Sequence, residues 1–337
     1  MSVAEQNRPA RVALGQRLIC APERDKLAID GSVGHGRAGQ RKFGRLPGLK
    51  TARAKVQGLA NSDFGWAIPI MRAGYAGRAV VYVVIAGVSL WAIWRGQQAQ
   101  GTGSAFETLE TSAWGVAVLL VIALGMICYA VWRMIDAAYD LEEEGSDGKG
   151  IVARIGMVVT GLIHLAIGIG ALLLVFTSSS GGGQSTIAQT ANTVMEWPGG
   201  RWIVGIAGLV TVGAAIYYLH KAWSRNYRQN LVGNEFTRNW DFALRIGVAA
   251  QGFVVAVIGS FLVYAAIVHS GSEAGGIDRT FSWLQGQPYG RLLVGALCVG
   301  LLCFALFCAV NAAYRSIPKA RGGNVETLAA KIKASAN

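Results

Sequence analysis

The chain has 337 residues, 53% of them hydrophobic and 15% charged, with a mean hydropathy of +0.39. Such a composition excludes an ordinary water-soluble domain. The 31 Lys+Arg against 19 Asp+Glu give a net charge of +12, which raises nucleic acid as a partner, but the placement of those basic residues argues for a lipid headgroup layer and no nucleic acid.

In chain order, residues 1–65 are rich in Arg and Gly, poor in acids and without clear periodicity. They read as a disordered cytoplasmic tail able to rest on anionic lipid. No apolar run of signal-peptide length lies within them, so insertion is expected to rely on the first membrane helix. Six apolar stretches follow, at roughly 73–94, 114–135, 151–176, 202–220, 246–268 and 290–310, each near the ~20 residues that cross a hydrocarbon core of about 30 Å. Residues 317–337 read as a second cytoplasmic tail.

Lys and Arg number thirteen in residues 1–72, then one, three, one, five and two in the successive segments between spans, counting the span-end residues Arg133, Arg154 and Arg291 with the segments they adjoin, and five after the last span, with Arg78 deeper inside the first. This alternation predicts a multi-pass protein of the bacterial plasma (inner) membrane with both termini cytoplasmic. Trp91, Trp94, Trp114, Trp197, Trp202 and Trp283 fall at the expected outer boundary, and Trp66, Trp132, Trp223 and Trp240 near the inner one. Amphipathic rings collect in those two layers.

The spans repeat. Placing Arg72, Arg154 and Arg245 in register also aligns Gly74, Gly156 and Gly247, the small residues Ala79, Gly161 and Gly252, and the polar residues Arg78, Thr160 and Gln251. Residues 114–139 and 289–314 align without a gap, sharing Gly115 with Gly290, Gly125 with Gly300, Cys128 with Cys303, Ala130 with Ala305 and a closing Ala-Ala-Tyr. Each unit is a helix, a Gly- and Ser-rich outer loop with a short amphipathic turn, and a returning helix. The expectation is an all-α membrane protein, six transmembrane helices arranged as three parallel helical-hairpin repeats in a pseudo-threefold bundle, with repeats at 66–140, 150–230 and 238–316. Glycines inside the spans, at 161, 168, 170, 205, 208, 252 and 259, are expected to let backbones approach closely.

The opening "RAGYAGRAVVYVVIAG", the Pro-x-Gly-Arg entries at Pro198 and Pro288 and the three-hairpin layout resemble the bacterial integral membrane family named domain of unknown function 1206. The resemblance covers about residues 66–316, although the second helix of the first copy lacks the Pro-x-Gly-Arg entry. It implies a six-span plasma-membrane protein and brings no reaction, ligand or catalytic residue.

Polar residues inside the spans are the candidate sites. Arg78 lies about 9 Å deeper than Arg72 at ~1.5 Å per residue, where a charge must snorkel or find a partner. Asp136 closes the returning helix of the same hairpin, and the matching positions are Thr160 with Lys221 and Gln251 with Asn311. These pairs are expected to clasp each hairpin, by an ion pair in the first, amide hydrogen bonds in the third and a weaker contact in the second, ahead of any role as an ion or solute path. His164 is isolated near mid-membrane; with no second histidine at its depth, it reads as a hydrogen-bonded interhelical residue and not a haem or metal ligand. The acidic run Glu142–Glu144 reads as a solvated loop. Cys128, Cys298, Cys303 and Cys308 read as buried apolar thiols, and Cys20 lies in the tail.

No P-loop, HExxH or GxSxG pattern occurs. The expected function is therefore a non-enzymatic scaffold or accessory factor in the lipid bilayer, with no cofactor and with its protein partners and oligomeric state left open. A small transporter or channel between the hairpins, lined by Thr160, Gln251, Asn311 and His164, is the alternative. A cofactor-binding redox subunit is the third reading.

Overall fold

The computed structural model describes residues 64–177 and 186–318, together with 327, 328 and 332. The expected N-terminal tail and Cys20 lie outside the described residues, apart from residues 64 and 65. Those two begin a 3-10 turn at Phe64–Trp66, and the Phe64 ring packs 5.4 Å from that of Tyr139.

The helices are α1 Ala67–Trp94, α2 Thr102–Glu110, α3 Gly115–Tyr139, α4 Gly148–Thr177, α5 Thr186–Met195, α6 Gly200–Ser224, α7 Glu235–Asn239, α8 Asp241–Val268, α9 Ile277–Gln285 and α10 Gly290–Tyr314. Six of them, α1, α3, α4, α6, α8 and α10, are long and apolar enough to cross a membrane. Such surfaces are stable only in a lipid bilayer, because lipid tails replace the water that a soluble fold would meet.

The expected amphipathic turns are full helices, α2, α5 and α9. Each delivers the chain to a glycine that starts a returning span. A Cβ on Gly115 would lie 1.6 Å from the Leu109 carbonyl oxygen, one on Gly200 1.8 Å from that of Val194, and one on Gly290 2.3 Å from that of Gln285. No larger residue fits any of the three corners. This recurrence is the plainest mark of the internal threefold likeness.

Around the bundle the spans follow chain order. Packed interfaces join α1 to α3, α3 to α4, α6 to α8, α8 to α10 and α10 back to α1. Among the described residues, α4 and α6 share no such interface. Hairpins one and three are closed; the middle hairpin is parted, its first helix lying on α3 and its second on α8.

Glycine positions show why. Within hairpin one a Cβ on Gly74 would lie 2.6 Å from Tyr129 Cα, and within hairpin three a Cβ on Gly247 would lie 2.5 Å from the backbone of Cys303 and Phe304. The aligned Gly156 has nothing within 4 Å of that position. Facing it in register, Ala214 stands where the others have Tyr129 and Phe304. Contacts between repeats are kept: Gly161 meets Met134 and Arg133, and Gly252 meets Tyr218 and Leu219. Gly168, Gly208 and Gly259 also let helices approach as expected, whereas Gly170 faces open space.

Two clamps hold the bundle at its ends. At the end carrying α2 and α9, the Asp278 carboxylate accepts from the Gly101 backbone N–H at 3.0 Å and the Ser104 hydroxyl at 2.6 Å, tying hairpin one to hairpin three. At the opposite end the linker after α6 folds over the bundle. Leu231 pairs with Arg315 and Val232 with Thr327, and Leu328 is fully buried, so this part of the expected C-terminal tail is packed against the protein.

Candidate functional site

Arg78 sits in the middle third of α1 with 5% of its surface exposed. Its Nη1 donates to the Tyr129 hydroxyl at 2.9 Å. The rings of Tyr129, Phe304 and Tyr82 stand 4.7, 5.4 and 6.0 Å from its Cζ, so π faces supply part of the stabilisation that water would otherwise give. Tyr129 and Phe304 occupy the same position of hairpins one and three, one aromatic from each side. Among the described residues no carboxylate pairs with Arg78, and its buried Nε has no partner.

The Tyr129 hydroxyl also accepts from Arg133 Nε at 3.0 Å. Arg133 Nη1 pairs with Asp136 at 3.1 Å, and Asp136, itself fully buried, accepts the Glu142 backbone N–H at 3.3 Å. A polar chain therefore descends α3 from the protein centre toward the chain-terminal end, in the order Arg78, Tyr129, Arg133, Asp136. At its foot Glu142 and Arg315 form an ion pair with side chains 6% and 5% exposed. Arg315 also donates from Nη1 to Asn311 Oδ1 at 2.6 Å and lies 5.2 Å from the Tyr75 ring. Burial alone would push the Glu142 carboxyl up, but Arg315 and Arg133 outweigh it and hold it down at about 2.

This geometry corrects several expectations. Arg78 and Asp136 do not pair directly: Arg133 lies one turn from Asp136 on the same helix and claims it, while Tyr129 intercepts Arg78. Gln251 and Asn311 form no amide clasp. Asn311 donates to the Phe307 carbonyl at 2.7 Å and accepts from Arg315, leaving the buried Gln251 Oε1 without a partner. Thr160 and Lys221 belong to the parted helices. Thr160 bonds back to the Gly156 carbonyl at 2.7 Å, and Lys221 lies 5.7 Å from the Tyr217 ring. Glu142 is a buried ion-pair partner and not part of a solvated run. Trp132, expected in the inner aromatic layer, is fully buried.

His164 donates from Nδ1 to the Thr160 carbonyl at 2.7 Å, since a carbonyl oxygen only accepts. That bond stays within α4; the interhelical contact is its ring, 4.6 Å from that of Tyr129. Cys128, Cys298, Cys303 and Cys308 carry free thiols, with Cys298 and Cys308 buried. Among the described residues no group of three or more His, Cys, Asp or Glu side chains gathers as metal ligands would.

Tyr129, Arg133 and Arg315 were not singled out by sequence reasoning, and Glu142 was read only as one of a solvated acidic run. The available signal was the three-residue spacing of Arg133 and Asp136, which brings opposite charges together on any helix.

The family model described as Domain of Unknown Function (DUF1206) matches the chain three times, over residues 73–140, 155–225 and 246–315. No curated protein and no solved structure matches the chain. Each match begins one residue after Arg72, Arg154 or Arg245 and covers one helix-loop-helix unit, and together the three take in more than half of the sequence: the protein belongs to this family, as three copies of its unit.

Proposed function

We propose that this protein is a non-enzymatic scaffold or accessory factor of the bacterial inner membrane, with both termini cytoplasmic, and that its parted middle hairpin receives a transmembrane helix of a partner protein. One observation carries the reading. Gly74 and Gly247 each receive a helix backbone at van der Waals limits, and Gly156 repeats that feature with no helix upon it. Consistently, only 17% of the most apolar window of α4 and of α6 is buried, against 56% for α10. Without a hydrophobic force between helices in lipid, close backbone approach at small residues is what drives their association. The cytoplasmic placement rests on the alternating Lys and Arg content of the segments; a reporter inserted at Glu143 that read out on the periplasmic side would contradict it.

Photo-crosslinking in native membranes tests the scaffold reading. Crosslinkers at Val159 on α4 and Val210 on α6 should each give a discrete adduct with the same protein, and Gly156→Leu, which fills the open position, should abolish it. Adducts to lipid alone from both helices would contradict the proposal.

The transporter alternative draws on one cavity, lined by Arg78, Tyr82 and His164 among others, of about 50 Å³. Thr160, Gln251 and Asn311, the other residues of the expected path, do not line it.

A further inference from the structure

We infer that the cavity beside Arg78 is a binding site for a small monovalent inorganic anion of halide size. Its polar walls are Arg78, Tyr82, Thr102 and His164, and the remainder are apolar side chains of α1, α3, α4 and α9. Arginine, tyrosine and threonine side chains all carry a hydrogen-bond donor, none of the four residues is acidic, and His164 commits its Nδ1–H to the Thr160 carbonyl and serves as a wall.

The charge balance gives this lining its meaning. A guanidinium stays protonated even when buried, and one charge in a low-dielectric interior is costly unless it is paired. The two buried acids of the neighbourhood are taken: Asp136 by Arg133 and Glu142 by Arg315. Arg78 is left with one phenol hydroxyl, three aromatic faces and an Nε–H that donates to nothing. Aromatic faces compensate a cation only in part. An anion in the adjoining cavity completes the compensation, with the guanidinium as its principal ligand and Tyr129 as the positioning residue that fixes the guanidinium plane.

Size admits a small anion and charge sets its valence. The cavity accepts the centre of a water-sized sphere over about 50 Å³, above the roughly 10–15 Å³ that one water needs. A monatomic halide fits, and a single guanidinium leaves a single charge to balance. The inference is independent of the scaffold reading, because the cavity is bounded by α1, α3, α4 and the outer helices and does not involve Gly156.

Thermal unfolding of the purified full chain in detergent, at constant ionic strength with chloride or bromide replacing gluconate, tests it. Ligand that binds only the folded state raises the midpoint in a saturable way. The wild type should show a saturable rise with either halide, and Arg78→Gln should show none. Should Arg78→Gln fail to fold, the wild type alone decides by crystallography: crystals grown in bromide should carry an anomalous peak within the cavity, in hydrogen-bond range of the Arg78 guanidinium. Water-sized density there without anomalous signal, or a midpoint that responds equally to halide and gluconate, would overturn the inference.

Discussion

Hairpins one and three carry the same instructions as hairpin two, yet they close and it does not. The entering helices are alike at the positions that matter, with Arg72, Arg154 and Arg245 followed two residues later by glycine. The difference lies on the returning helices. Tyr129 and Phe304 put an aromatic side chain where Ala214 has a methyl, and both aromatics pack around Arg78. Arg78 is thus the filler of the central space, and it draws the first and third hairpins together around one cation. The middle copy contributes neither a cation nor an aromatic at these positions, and its helices follow their neighbours. Repeat sequence fixes the contact surfaces; the central side chains decide which of them are used.

The comparison breaks most sharply at the lock that joins the closed hairpins. Arg315→Ala leaves Glu142 buried and unpaired and should lower stability by about 3–5 kcal/mol, read from denaturant unfolding in detergent. The same pair predicts a pH dependence. The folded-state carboxyl of Glu142 is held at about 2, below the ~4.3 of an unperturbed glutamate, so its contribution is complete above the higher value and is lost as pH falls toward the lower one. The unfolding midpoint of Glu142→Gln should accordingly vary less with pH than that of the wild type across this acidic window.

Glycine substitutions separate the two kinds of hairpin. Gly74→Ala and Gly247→Ala push a methyl into a facing backbone and should each destabilise by about 1–3 kcal/mol. Gly156→Ala should change stability by less than about 0.5 kcal/mol, as an unpacked surface position does. Asp278→Ala removes the acceptor of Gly101 and Ser104 and should cost about 1–2 kcal/mol, loosening the clamp between hairpins one and three without touching the second. Ala214→Phe restores the missing aromatic and should have the smallest effect, within about 0.5 kcal/mol, because no helix faces it. A large shift there would mean that α4 and α6 meet.

Much of this architecture was legible in the sequence because it depends on composition and period. Lipid as solvent demands long apolar helices, and the register of Arg72, Arg154 and Arg245 marks each unit, as the family matches do. The site was less legible because it depends on competition among near neighbours. Arg133 outcompetes Arg78 for Asp136 by lying one turn away. Arg315 comes from the far end of the chain to bury Glu142, which no local pattern reveals. Trp132 has the position of a headgroup-layer residue, but packing of Met71, Tyr75 and Ile317 encloses it. The parted hairpin is marked by the small Ala214 on a helix that follows its neighbour, a mark that is readable only once Tyr129 and Phe304 are seen converging on one guanidinium.

The open middle hairpin is most directly tested by disulfide crosslinking in native membranes, in a chain whose five cysteines are replaced by alanine. The pair Gly205→Cys with Ala266→Cys, whose Cβ positions fall 3.3 Å apart where α6 lies on α8, should crosslink under mild oxidation, and the pair Gly156→Cys with Ala214→Cys, matched in the repeat register, should not. Equal crosslinking of both pairs would show three closed hairpins and contradict the account.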